Sequence, residues 1–99
     1  MYVNFSRVAR IELKEAVRYY NGQSEGLGFD FANEIKLTLD RIIDYPDSWP
    51  KLSKNTRRAR ASRFPYGIIY SNTGNEILII AIMNLHQKPD YWKNHLKSD

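Results

Sequence analysis

Residues 66–84, "YGIIYSNTGNEILIIAIMN", decide the fold. Two β-prone runs, Tyr66–Ser71 and Glu76–Asn84, flank Asn-Thr-Gly-Asn, a hairpin turn signal. In the second run both alternating sets are apolar: Ile77, Ile79, Ala81 and Met83 on one face, Leu78, Ile80 and Ile82 on the other. A strand apolar on both faces belongs in the middle of a sheet, with cover on each side. A third strand candidate, Arg57–Ser62, precedes the pair. The spacing therefore predicts a three-stranded antiparallel meander whose first strand is an edge.

Upstream, the period changes. Tyr2–Phe5 reads as a short strand, and Ser6 is a helix cap. Ala9, Leu13, Ala16, Val17 and Tyr20 then recur at helical spacing, with Asn21-Gly22 as a left-handed stop. A glycine-marked link leads to a second helix over about 29–44, with Phe31, Ile35, Thr38, Leu39 and Ile42 on one face and Pro46 ending it. Helices joined by so short a link pack as an antiparallel hairpin. The hairpin covers one side of the sheet. The closing "KPDYWKNHLK", as a short C-terminal helix or tail with Trp92 inward, is the candidate for the other side, and Trp49 is expected to plug one end of the core. The expected class is α+β, one domain over 1–99.

The chain of 99 residues has no cysteine, which excludes a disulfide framework and a thiolate metal site. Its longest apolar run, Ile77–Met83, is far too short to cross a bilayer, and no secretory leader is visible. A cytoplasmic location with no membrane partner is expected. Glycine-rich phosphate loops, G-x-S-x-G and H-E-x-x-H are all missing. His86 and His95 lack a neighbouring carboxylate cluster, so neither a metal nor a cofactor is expected.

Charge is unevenly placed. Residues 1–50 carry six Lys/Arg against eight Asp/Glu, and residues 51–99 carry nine against three, so the halves stand at −2 and +6. Such asymmetry points to an acidic partner, nucleic acid or protein, or else to a solvated basic face. Within the basic half, strand alternation puts Arg58, Arg60 and Ser62 on one face and Ala59 and Ala61 on the other. Small alanines suit the face against the helices, which leaves the arginines outward, with Lys51, Lys54, Arg57 and Arg63 around them. Aligned arginines can grip phosphates or carboxylates with forked hydrogen bonds, or they can simply guard an edge strand against aggregation. Farther on, His86, Lys88 and Tyr91 are the residue types that a metal-free ribonuclease needs to activate a 2′-hydroxyl, stabilise the phosphate and protonate the leaving oxygen. Tyr91 and Trp92 could equally close the core.

Together, "R-x-R-x-x-R-F-P-Y-G-I-I-Y", "E-I-L-I-I-A-I" and "H-Q-K-P-D-Y-W", with the helix "A-R-I-E-L-K-E-A-V-R-Y-Y" and the junction "G-L-G-F-D-F", resemble the RelE/ParE superfamily of type II toxins over nearly the whole chain. The resemblance is to the ParE, or plasmid-stabilisation, branch in particular. It implies a toxin that inhibits DNA gyrase and so replication, without nuclease activity. It also implies a cognate antitoxin with an acidic or disordered tail and a DNA-binding head, in a hetero-oligomer. Arg57, Arg58, Arg60, Arg63, Lys88, Tyr91 and Trp92 would then bind antitoxin or target. The RelE branch is the alternative: a ribosome-dependent endoribonuclease acting on messenger RNA through Arg58, Arg60, Lys88 and Tyr91, with His86. Ser62 falls where that branch places a phosphate-gripping arginine, which favours the ParE side.

Overall fold

The computed structural model describes residues 2–86. Six elements follow in chain order: β1 (Tyr2–Phe5), α1 (Arg7–Gln23), α2 (Leu27–Asp44), β2 (Arg57–Arg60), β3 (Tyr66–Asn72) and β4 (Glu76–Asn84). The four strands form one sheet in the order β1, β4, β3, β2. β2, β3 and β4 are the antiparallel meander that the turn signals predict. β1 pairs with β4 in parallel, Tyr2 opposite Glu76 and Phe5 opposite Ile79. The helices form the crossover that a parallel pair requires, and they cover one face of the sheet.

Local chemistry sets the helix ends. Ser6 Oγ accepts from the Ala9 N–H at 3.0 Å and donates to the Ile80 carbonyl at 3.0 Å, so one hydroxyl caps α1 and ties it to β4. The expected stop at Asn21-Gly22 is corrected: α1 runs on to Gln23, and the left-handed residue is Gly26, at φ 82°, just before α2. Asn21 instead bridges the hairpin, its Oδ1 accepting from the Gly28 N–H at 2.7 Å. A Cβ on Gly28 would fall on the Val17 carbonyl oxygen and the Asn21 side chain, so glycine is what lets the helices approach here.

The cluster between helices and sheet includes Ala9, Ala16, Phe31, Ile35, Ile42, Ala59, Ile68, Tyr70, Ile77, Ile79 and Ile82, with Leu13, Val17, Tyr20, Leu39 and Trp49 packed against it. Burying an Ile or Phe side chain contributes about 1.5–3 kcal/mol, so this layer dominates stability. Thr38 is tolerated there because its hydroxyl donates to the Glu34 carbonyl at 2.8 Å. Tyr20 stacks on Phe31 at 5.1 Å, and Phe64 and Tyr66 meet both rings within 6.0 Å.

One feature of β4 departs from simple alternation. Ile69 of β3 faces Ala81 and Tyr70 faces Ile79, which leaves Ile80 as an extra residue in β4. Before this bulge Ile77 and Ile79 face the helices; after it Ile82 does. Ala81 and Met83 join Ile69 and Ile80 in a second buried cluster on the sheet's other face, with Leu52 and Leu78 against it. The expected faces of residues 81–83 are therefore exchanged. A one-residue slip moves every later side chain to the opposite face, and in a run of unbroken aliphatics the sequence pattern carries no trace of it. No helix among the described residues is long and apolar enough to cross a membrane.

Candidate partner-binding surface

β2 carries the basic run into the sheet. Ala59 is fully buried against the helical layer, opposite Ile68, so Arg58 and Arg60 occupy the other face, opposite Ile69 and Gly67. A Cβ on Gly67 would lie 3.1 Å from Arg58 Cγ and 3.4 Å from Leu85 Cδ2. Gly67 thus leaves a slot in which the aliphatic stem of Arg58 lies flat. This brings Arg58 beside the turn that leaves β4, which carries exposed His86, whose N–H donates to Asn84 Oδ1 at 2.9 Å. Arg60 is exposed and Arg58 half-buried.

The edge of β2 is not bare. Lys51 forms a bridge with Arg57, and the Arg58 N–H donates to the Pro50 carbonyl at 3.0 Å. Edge protection in this stretch therefore comes from the loop itself. That loop and Asn72 enclose a small cleft of about 120 Å³ lined by Asp47, Lys51, Lys54, Asn55, Thr56, Arg57 and Asn72.

The other arginines have partners. Arg57 is half-buried; it donates to the Trp49 carbonyl at 2.8 Å and sits 4.0 Å from the Asp47 carboxylate. It fixes the loop between α2 and β2 while leaving part of its charge in the small cleft. Tyr70, opposite Arg57, donates its hydroxyl to the Pro46 carbonyl. Burial pushes this phenol up to about 12, against the downward pull of Arg57 and with a smaller upward push from Asp47. Arg63 turns toward α2, 3.9 Å from Asp30, with its guanidinium 5.6 Å from the centre of the Phe64 ring.

Ser62 needs a correction. β2 ends at Arg60, and Ser62 lies in the connection to β3, where its hydroxyl accepts from Arg41 of α2 at 3.5 Å. It is therefore not third in line with Arg58 and Arg60. The chain turns because Ala61 closes the ladder, its N–H donating to the Tyr66 carbonyl at 2.9 Å, and Pro65 follows. Lys88, Tyr91 and Trp92, together with the expected C-terminal helix or tail, lie outside the described residues.

Sequence reasoning missed Glu34, a buried residue of α2 whose Oε2 has no hydrogen-bond partner. Its position three after Phe31 and four before Thr38 on the apolar stripe was the available signal. Among the described residues no group of three or more His, Cys, Asp or Glu is placed to hold a metal. What the surface offers chemically is two outward guanidiniums on a rigid strand, suited to planar anions such as carboxylates and phosphates.

A family model described as the ParE toxin of the type II toxin–antitoxin system parDE matches residues 3–91. Among solved structures the chain is similar to one described as the chromosomal ParDE TA system from P. aeruginosa. The TM-score is 0.76 at 17% identity, covering 87% of this chain and 97% of that chain. At that identity the likeness speaks for the fold. No curated protein sequence matches.

Proposed function

Since the chain belongs to the ParE toxin family of type II toxin–antitoxin systems, we propose that it arrests growth by inhibiting DNA gyrase, and that a cognate antitoxin neutralises it. The toxin acts as a protein-binding poison in the cytoplasm. The antitoxin's acidic, disordered tail folds on it, trading ordering entropy for a large wrapped surface.

The observation that supports binding over cutting is the outer face of β2. Among the described residues it presents Arg58 and Arg60 with no third cation in line along the strand, since Ser62 and Arg63 both turn toward α2. Two guanidiniums on a rigid sheet can hold a carboxylate-rich segment. Phosphoryl chemistry on RNA asks in addition for a positioned base and acid. The alternative placed these at His86, Lys88 and Tyr91, of which only His86 is among the described residues.

A supercoiling assay with purified gyrase tests the target. Inhibition, or a stabilised cleavage complex, is expected at micromolar toxin, and its absence removes gyrase as the target. Primer extension on translated messenger RNA reads the alternative: new 5′ ends that vanish in Arg60→Ala would favour an endoribonuclease. For the antitoxin, charge complementarity predicts affinity that falls as salt rises, and a salt-independent affinity would remove the electrostatic part.

A further inference from the structure

A second cleft, larger than the one beside Arg57, lies between α1 and the ends of β3 and β4. It has a volume of about 330 Å³ and is lined by Glu12, Glu15, Ala16, Tyr19, Tyr66, Ile82 and Asn84. On a chain of net charge +4, the described residues that line it include two carboxylates and no lysine or arginine.

Three elements build it. Glu12, Glu15, Ala16 and Tyr19 recur at three- and four-residue spacing along α1 and so form a single stripe. Ala16 is small and buried, and with Ile82 it makes an apolar floor. β1 ends at Phe5, opposite Ile79, so the pairing of β1 with β4 stops before the bulge. Beyond that point Glu12 reaches β4: its Oε1 accepts from the Ile82 N–H at 3.0 Å, which fixes one carboxylate at the cleft wall. Tyr66 enters from the start of β3, its hydroxyl hydrogen-bonded to Asn84. Tyr19 is 57% exposed and stands edge-on to Tyr20 at 5.2 Å, so one face of its ring is open. Glu15 is exposed and has no ion pair among the described residues.

We propose that this cleft is a receptor for an arginine side chain presented by a protein partner. The acceptors are two carboxylates, one of them held in place, with phenol and amide oxygens beside them, and the wall is aromatic. A guanidinium answers each part: forked N–H donors for carboxylate, a flat face for stacking on tyrosine, and an aliphatic stem for the Ala16–Ile82 floor. An ammonium offers a point charge and no stacking plane, so lysine should be the weaker guest. The site is separate from Arg58 and Arg60, and it takes cations where they take anions. A partner that wraps the domain could therefore be read at two places of opposite sign, which fixes its direction along the surface.

The test uses the full chain and the probe peptide acetyl-Gly-Arg-Gly-amide, followed by amide chemical shifts. At probe concentrations of about 10 mM, suited to a millimolar single-residue contact, shifts should concentrate on the backbone around Glu15, Tyr19, Ile82 and Asn84. The Lys peptide should bind more weakly and the Glu peptide not at all. Glu15→Gln and Tyr19→Ala alter exposed side chains and should leave the fold intact. Each should weaken the Arg peptide about fivefold to tenfold, while Tyr19→Phe keeps the stacking face and should retain most of the binding. Shifts that miss the cleft would overturn the proposal, as would equal binding of Arg and Glu peptides or indifference to Glu15→Gln and Tyr19→Ala. None of these readouts involves gyrase, so the socket can fail while the proposed target stands, and the reverse.

Discussion

The two halves of β4 have nearly the same composition and different surroundings. Ile77–Ile79 lie between β1 and β3, hydrogen-bonded on both sides, with odd-numbered residues toward the helices. Ala81–Asn84 pair with β3 and, among the described strands, with no other; there Ile82 faces the helices and its N–H meets the Glu12 carboxylate. The difference teaches that one inserted residue does two jobs. Ile80 exchanges the faces of the strand, and it marks where the pairing with β1 ends. The acidic cleft lies beyond that point, where Glu12 reaches Ile82.

The strongest way to break this comparison is to truncate an inward side chain in each half. Ile79→Ala and Ile82→Ala should each cost about 2–5 kcal/mol, because both side chains are buried in the helix-side cluster. Denaturant unfolding measures it. If Ile82→Ala were nearly neutral, the exchange of faces would be wrong. Deleting Ile80 is the sharper version. Removal restores strict alternation with Ile77, Ile79 and Ile82 still inward, so the chain should fold, destabilised by about 2–4 kcal/mol for the lost buried side chain and its bond to Ser6. An unfolded deletion variant would mean that the bulge is required for the register.

Next in size is the response to alkali at Tyr70, the residue opposite Ile79 where the register shifts. Its phenol is pushed up to about 12, from an ordinary value near 10. Below about pH 10 the group is neutral both folded and unfolded, so its contribution is fully present there. Between about pH 10 and 12 the unfolded chain ionises first, and stability should fall by on the order of 2–3 kcal/mol. Burial raises Tyr20 and Tyr66 as well, in the same direction. Tyr70→Phe should flatten part of this loss, as read by chemical unfolding across the pH range.

Smaller effects belong to the bond between Glu12 and Ile82. Glu12→Ala removes the acceptor of the Ile82 N–H and should cost about 1–2 kcal/mol, whereas Glu12→Gln keeps an acceptor and should cost less. Amide hydrogen exchange at Ile82 should speed up in the alanine variant, while exchange at Ile77, in the doubly paired half, stays slow.

Much of this architecture is legible in the residues. Alternation and turn chemistry mark the strands Tyr66–Asn72 and Glu76–Asn84, and helical periodicity finds Phe31, Ile35, Thr38 and Ile42. Three things escape for physical reasons. The bulge at Ile80 is silent because its neighbours on both faces are apolar. The partnership of Tyr2–Phe5 with β4 is a contact between distant segments that no local pattern encodes. Asn21-Gly22 has the composition of a helix stop, but the side chain of Asn21 is drawn to Gly28, and the helix continues. At the surface, the outward pair Arg58 and Arg60 follows from strand period alone. The turn of Ser62 and Arg63 toward α2 depends on Arg41 and Asp30, which are remote in sequence. The acidic stripe on α1 had the right spacing in plain view, yet it becomes a cleft only when Tyr66 and Asn84 arrive from the sheet.

The parallel pairing of Tyr2–Phe5 with Glu76–Ile79 spans more than seventy residues. Closing so long a loop is costly in entropy and slows folding. During synthesis, then, β1 must wait for β4 to be made. No shorter nascent fragment can complete the sheet, bring Arg58 beside the turn after β4, or close the cleft against α1. The surfaces around Arg58 and around the cleft therefore come into being together, so recognition at either should begin only once β4 is in place.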